Sequence, residues 1–302
     1  MNDAARRQAI REAAKPGFKG HTKRISKVKP LYPQSVEREF QRVTDAYLKL
    51  FFRILKKHLP EIREAAAEEG IRQDSLDDLV SIIRKVFLNM GIELEKVLSV
   101  FDLRRKLNLM ANMARKLSIR EWKRAVHALL GINILDDYYL GEFYREALKQ
   151  WVDSNVNLIS TIPKSLLGQM ENIVLDGFLN GRTTAAVVKE IEKTYGIGKR
   201  HARLIARDQL AKLNGELARL QQTDAGVSEY IWSDSGDARV RDSHKHLNGK
   251  RFSWDAPPVV DARTGRRCHP GQDYQCRCVA LPVFELETLD LPISEKGVGG
   301  MT

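Results

Sequence analysis

Three cysteines, Cys268, Cys276 and Cys278, lie within residues 230–284 together with three of the seven histidines (His244, His246 and His269) and two of the four tryptophans (Trp232 and Trp254). Cys276-Arg277-Cys278 is a C-x-C pair, and on an extended segment residues two apart point to one face, so both thiolates can reach one ion. With Cys268 and one histidine, for which His244 is the first choice, they make a Cys₃His set suited to tetrahedral zinc. A small domain with little apolar sequence would gain folding free energy from such a cross-link. The alternative is unliganded, half-buried thiols, because C-x-C is not the C-x₂-C knuckle of common zinc fingers. An odd number of clustered cysteines argues against a disulfide framework.

The same stretch can be read as a catalyst. His244, His246, Asn248 and His269 invite comparison with a His-Asn-His nuclease, in which one histidine activates water and others hold a divalent cation. That comparison is weakened by the lack of an adjacent Asp-His or His-His pair and by Pro257-Pro258, which stands where that fold needs a helix. A Cys-His nucleophilic dyad would lack an oxyanion site. Asp234, Asp237 and Asp242 read as turn and cap residues around Gly236. Tyr230, Trp232 and Trp254 fall on alternating strand positions and read as core.

The elements that must position these groups are short strands. Past Gly226 the helical period vanishes, Tyr230–Trp232 and Lys250–Trp254 alternate as strands do, and 277–284 predicts a third strand ending at Pro282 or soon after. Ahead of it the chain is helical. Ser35 is a reasonable N-cap for a helix carrying Val36, Phe40, Val43, Tyr47, Phe51 and Ile54 on one face. A second helix should start at Asp74 or Ser75 and stop near Gly91. A third segment covers 92–130 with a break near Leu117–Ser118. Residues 136–151 and 164–180 predict two more helices, Pro163 standing at a helix start. Asn180-Gly181 ends one helix, Thr183 caps the next to Tyr195, and a last helix runs from Gly198 to Thr223. The fold class is α+β, a mainly helical N-terminal domain followed by a small β-rich C-terminal domain with zinc as its candidate stabiliser. The divisions are a basic disordered arm (1–33), the helical domain (34–225), the Cys/His domain (226–285) and a flexible tail (286–302).

Charge suggests a partner. The net charge is +11, of which residues 1–30 carry +7 through Arg6, Arg7, Arg11, Lys15, Lys19, Lys23, Arg24, Lys27 and Lys29 against Asp3 and Glu12. Such an arm is expected to be disordered when free and suited to polyanions such as DNA, the alternative being a merely solubilising tail. Gly196-Ile197-Gly198-Lys199-Arg200 looks like the glycine turn of a helix-hairpin-helix, where backbone amides bind phosphate and Lys199 and Arg200 add charge. An ordinary connection between helices would look the same. No apolar run is long enough for a membrane span. The first thirty residues lack the apolar core of a secretory signal, so folding in a reducing cytoplasm is expected.

Taken in order, Ile205-Ala-Arg207-Asp208-Gln209, Tyr230-Ile-Trp232, Asp237-Ala-Arg239-Val240-Arg241-Asp-Ser243-His244, Leu247-Asn-Gly249 and Cys276-Arg277-Cys278 with Pro282 resemble the phage Mu F-like minor head proteins, or phage head morphogenesis proteins. The ordered match covers about residues 155–285, including Ile162-Pro163 and Asn180-Gly181-Arg182. Members usually have Arg-Thr-Glu where this chain has Arg207-Asp208-Gln209. The resemblance implies a minor capsid protein of a tailed phage, partnered with the portal and with major capsid or scaffold protein, in some members contacting DNA, and without an established enzymatic activity. It implies residence in the host cytoplasm during assembly and then in the virion. It singles out Arg241, His244, Cys276 and Cys278 as one site, with Arg207, Trp232, Arg239 and Gly249 as further motif positions. The alternatives from other classes are a metal-dependent nuclease or injected effector using the His/Cys cluster, and a non-specific DNA-binding module.

Overall fold

The computed structural model describes residues 3–69, 76–135, 137–180 and 182–293. In chain order the elements are α1 (Asp3–Phe18), β1 (Lys23–Ile25), α2 (Gln34–Glu69), α3 (Leu76–Val100), α4 (Leu103–Leu130), a 3₁₀ turn (Asp137–Leu140), α5 (Glu142–Leu179), α6 (Thr184–Asp224), β2 (Glu229–Ser233), α7 (Asp242–Leu247), β3 (Arg251–Ser253), β4 (Val259–Asp261), β5 (Arg266–Arg267) and β6 (Val279–Glu285). The protein is therefore α+β, helical for most of its length with small antiparallel sheets toward the C-terminus. No helix among the described residues is long and apolar enough to cross a membrane.

The chain forms two compact units that are not consecutive in sequence: Met1–Glu37, Met110–Trp151 and Asp208–Thr302 make one, and Arg38–Leu109 with Val152–Arg207 the other. The change from helix to strand does fall between Asp224 and Glu229, but the units do not divide there.

The unit containing Arg38–Leu109 is a helical core. Leu48, Phe51 and Leu55 of α2 meet Ile83, Phe87 and Met90 of α3, Leu166, Met170 and Val174 of α5, and Ile191 and Ala202 of α6. The sets on α2, α3 and α5 recur at intervals of three or four residues, the spacing that puts apolar groups on one helix face.

Several sequence expectations about helix ends are corrected here. α3 continues through Gly91, because Met90 and Leu94 are both buried and extend the apolar stripe across it. The break lies instead at Asp102, whose φ is +52°, and α4 runs unbroken past Ser118. α5 contains Pro163 rather than starting at it; Ile159, Ile162 and Leu166 carry its buried face across that residue. The starting residues Asp74 and Ser75, and Gly181 of the Asn180-Gly181 turn, lie outside the described residues.

The glycine turn at 196–198 is absent. α6 passes straight through it, so the backbone amides expected to cradle phosphate are taken up by the helix. Gly198 has a packing reason instead: a Cβ there would stand 2.7 Å from a methyl of Leu166, so glycine lets α6 approach α5 closely. Lys199 lies 4.0 Å from Asp45, to which Arg203 also bonds, while Arg200 is exposed.

In the other unit the strand order is β1-β6-β2-β3, all antiparallel. Tyr230 stands opposite Pro282 and Trp232 opposite Ala280. Tyr230 and Trp232 are fully buried, as the alternation in β2 required. β4 and β5 form a separate ribbon.

The arm expected to be disordered is folded. Ile10, Ala14 and Phe18 recur every four residues and bury one face of α1, and β1 adds an outer strand against β6 through Arg24 opposite Phe284. Charge density hid a stripe that suffices to offset the ordering entropy. The segment after β6, expected to be a loose tail, is also packed as far as it is described: Leu289 and Leu291 are buried, and the Asp290 amide donates to the Ala225 carbonyl. Residues 294–302 of that tail lie outside the described residues.

Candidate metal centre

The site is built by α7, by the loop 268–278 that leads into β6, and by α6 beneath that loop. The loop crosses α6 at a pair of glycines. A Cβ on Gly215 would fall 2.7 Å from the Pro270 carbonyl oxygen, and one on Gly271 would fall 3.1 Å from the Ala211 oxygen and from the Gly215 Cα. Gly271 also has φ +85°, where glycine pays no steric penalty. Past this crossing, Asp208 of α6 accepts a hydrogen bond from the Gln275 amide at 2.7 Å. Gln275 has φ +50° and immediately precedes the C-x-C pair. At the end of α6, the buried Gln222 side chain donates to the Ala280 carbonyl and accepts from the Trp254 indole.

His244 lies on α7, 2% exposed. Its Nδ1 is 3.5 Å from the sulfur of Cys276 and 3.5 Å from the sulfur of Cys278. On the other side of the ring Nε2 is 3.0 Å from Oδ2 of Asp273, a residue sequence reasoning did not single out. Asp273 is itself buried and accepts from the Tyr274 amide at 2.9 Å, from Arg241 at 3.2 Å and from Arg266 at 3.0 Å. Arg241 also donates to the Tyr274 carbonyl. The edge of the Trp232 ring packs against the imidazole at 5.3 Å between centroids, so the ring is fixed in plane and in direction. The Cys278 amide points at the Cys276 sulfur at 3.4 Å.

The electrostatics couple these groups. Cys276 is held well below the usual thiol range, first by the hydrogen bond from the Cys278 thiol and, against burial, by His244. Cys278 is pushed up by the same shared proton and by burial. Burial opposes charge on His244, but its hydrogen bond with Cys276 and the carboxylate of Asp273 outweigh that and raise its pKa.

Among the described residues, His244, Cys276 and Cys278 form the group that could hold a metal ion, their ligand atoms all within 4.8 Å of one another. Cys268, expected as the fourth ligand, is half-buried and outside that set. All three cysteines are free thiols. The histidines of the nuclease reading are engaged separately: His269 bonds the Tyr230 hydroxyl at 2.9 Å in the core, and His246 bonds the Asp242 carbonyl on the surface of α7.

The remaining expected residues are structural or peripheral to this cluster. Trp232 is core, Gly249 takes φ +77° in the turn before β3, and Arg239 lies 3.7 Å from Asp237, which Arg277 also pairs. Arg207 is half-exposed on α6, and at the departing motif position Gln209 accepts the Trp151 indole through its backbone carbonyl. Of the arm's cations, Arg6 and Arg7 pair with Asp290, Lys15 with Glu12 and Lys23 with Glu229 and Glu285. Arg11, Arg24 and Lys29 donate to the carbonyls of Glu287, Gly17 and Asp234. Lys19 and Lys27 are exposed.

A buried His/Cys cluster held between a helix-covered sheet and a short helix is the signature of this half of the molecule. Residues 168–281 match the family described as Phage Mu protein F like protein. A segment of 134 residues, 43% of this chain, is 37% identical to a protein of Haemophilus influenzae described as uncharacterized. That segment spans 28% of the length of that relative. No solved structure matches.

Proposed function

We propose that the protein is a minor capsid protein of a tailed phage, associated with the portal and with capsid or scaffold protein during head assembly in the host cytoplasm and retained in the virion. The observation that carries this reading is the ordered Mu F-like match over residues 168–281, which contains both halves of the His244 and Cys276/Cys278 site. Quantitative mass spectrometry of gradient-purified heads, with copies counted against the portal, tests it. A few copies per particle, lost when the portal is deleted, is the expected result. Free protein in the lysate with none in particles would refute it.

A second contact is favoured by one feature. Lys19, His21, Lys23, Arg24, Lys27 and Arg251 line a concavity of about 510 Å³, which suits a phosphate backbone better than an apolar partner. If packaged DNA lies there, binding should weaken with salt at a slope of about 0.9 per phosphate neutralised. The Lys19→Gln/Lys27→Gln variant should then flatten that slope by roughly 2. The nuclease reading is decided by plasmid nicking with Mg²⁺, Mn²⁺ or Zn²⁺, comparing wild type with His244→Ala.

A further inference from the structure

We infer that His244, Cys276 and Cys278 bind one zinc ion as its complete protein ligand set, that Asp273 orients the histidine from behind, and that Cys268 is not a ligand. The geometry carries this. With Zn–S of about 2.3 Å and Zn–N of about 2.0–2.1 Å, the S···N edge of a zinc tetrahedron is about 3.5–3.6 Å. Both sulfur–Nδ1 separations are 3.5 Å. All three ligand atoms lie within 4.8 Å of one another.

The surroundings fit a metal as well as the ligands do. A metal-bound histidine characteristically gives its other ring N–H to a carboxylate, which fixes tautomer and direction; Nε2 of His244 gives it to Asp273 at 3.0 Å. Asp273 is in turn anchored by Arg241 and Arg266, which balance its charge without entering the cluster. The Cys278 amide directed at the Cys276 sulfur is the kind of donor that stabilises a coordinated thiolate. Two thiolates, one neutral imidazole and Zn²⁺ sum to zero charge, the condition under which such a group can sit in a buried site at low cost. The displaced protons leave to solvent. The ion ties α7 to the start of β6, two elements that are far apart in sequence.

The test uses the full chain and the metal alone. After stripping and dialysis, the protein is titrated with Co²⁺ and with Zn²⁺. One equivalent should bind, with a near-ultraviolet thiolate-to-cobalt band and intense visible bands of tetrahedral cobalt that Zn²⁺ abolishes. Cys276→Ser and Cys278→Ser should lose the bands, Cys268→Ser should keep them unchanged, and Asp273→Asn should weaken affinity by roughly 10–100-fold. The wild-type spectrum needs no variant to fold. Absence of stoichiometric binding by wild type would overturn the proposal, and so would loss of the bands in Cys268→Ser.

Discussion

Asp273 and His244 meet at 3.0 Å across 29 positions of sequence, both buried, and the bond turns the opposite ring nitrogen toward two thiols. The carboxylate is the hub of the site, because it also receives Arg241, Arg266 and the Tyr274 amide. Removing it leaves the buried imidazole without its acceptor and takes one acceptor from each guanidinium, Arg241 keeping the Tyr274 carbonyl and Arg266 keeping Asp261. Asp273→Ala should therefore lower stability by about 3 kcal/mol, read as a shift in the urea midpoint at unchanged slope. A cost below about 0.5 kcal/mol would mean that the arginines and His244 find other partners at once.

The crossing of Gly215 under Pro270 predicts a sign that helix propensity alone would get wrong. Alanine gains about 1 kcal/mol over glycine within a helix, but a Cβ 2.7 Å from a backbone oxygen forces overpacking that costs about 1–3 kcal/mol. Gly215→Ala should lower Tm. Gly168→Ala, also helical but with nothing within 4 Å of the added carbon, should raise it. Both changes are read by thermal denaturation followed by circular dichroism.

The N-terminal segment should behave as part of the fold. Phe18 is 1% exposed, and Phe18→Ala should cost about 3–5 kcal/mol. The many basic residues of α1 and β1 should resist limited trypsin digestion in the native protein. Rapid removal of the first 25 residues without loss of the remaining structure would contradict the packing of α1.

His58 of α2 lies 2.9 Å from Glu93 of α3 and 2.9 Å from Glu61, with Lys57 also on Glu93. Burial opposes the charged ring, but the two carboxylates outweigh it and raise the His58 pKa. Lys57 and then His58 lower that of Glu93. The histidine's contribution is fully present below its ordinary value of about 6.5 and is lost as pH rises through the raised value. The glutamate's is present above about 4.3–4.5 and is lost as pH falls through the lowered value. The Tm difference between wild type and His58→Gln should be largest between these limits and shrink on either side. A difference that grows above neutrality would refute the pairing.

Much of the scaffold was legible because its signals are local. Period-four apolar residues announced α2, alternation announced the buried Tyr230 and Trp232, and the C-x-C spacing placed two thiols on one side. In the arm, charge density conceals the Ile10, Ala14 and Phe18 stripe that folds it. At 196–198 the sequence is ambiguous in one dimension, because a glycine that opens a loop and a glycine that admits a neighbouring helix look identical there.

The sequence by itself determined the division into helical and strand-forming stretches, the faces they bury and the candidate ligand types. Only the tertiary structure decided which of the candidates converge: His244 with Cys276 and Cys278 but not Cys268, with Asp273 behind and Asp208 holding the loop. The reason is that periodicity is set by neighbouring backbone geometry. Partner choice among polar groups is set by desolvation in the folded core, where a buried group must find its complement wherever the chain has brought one.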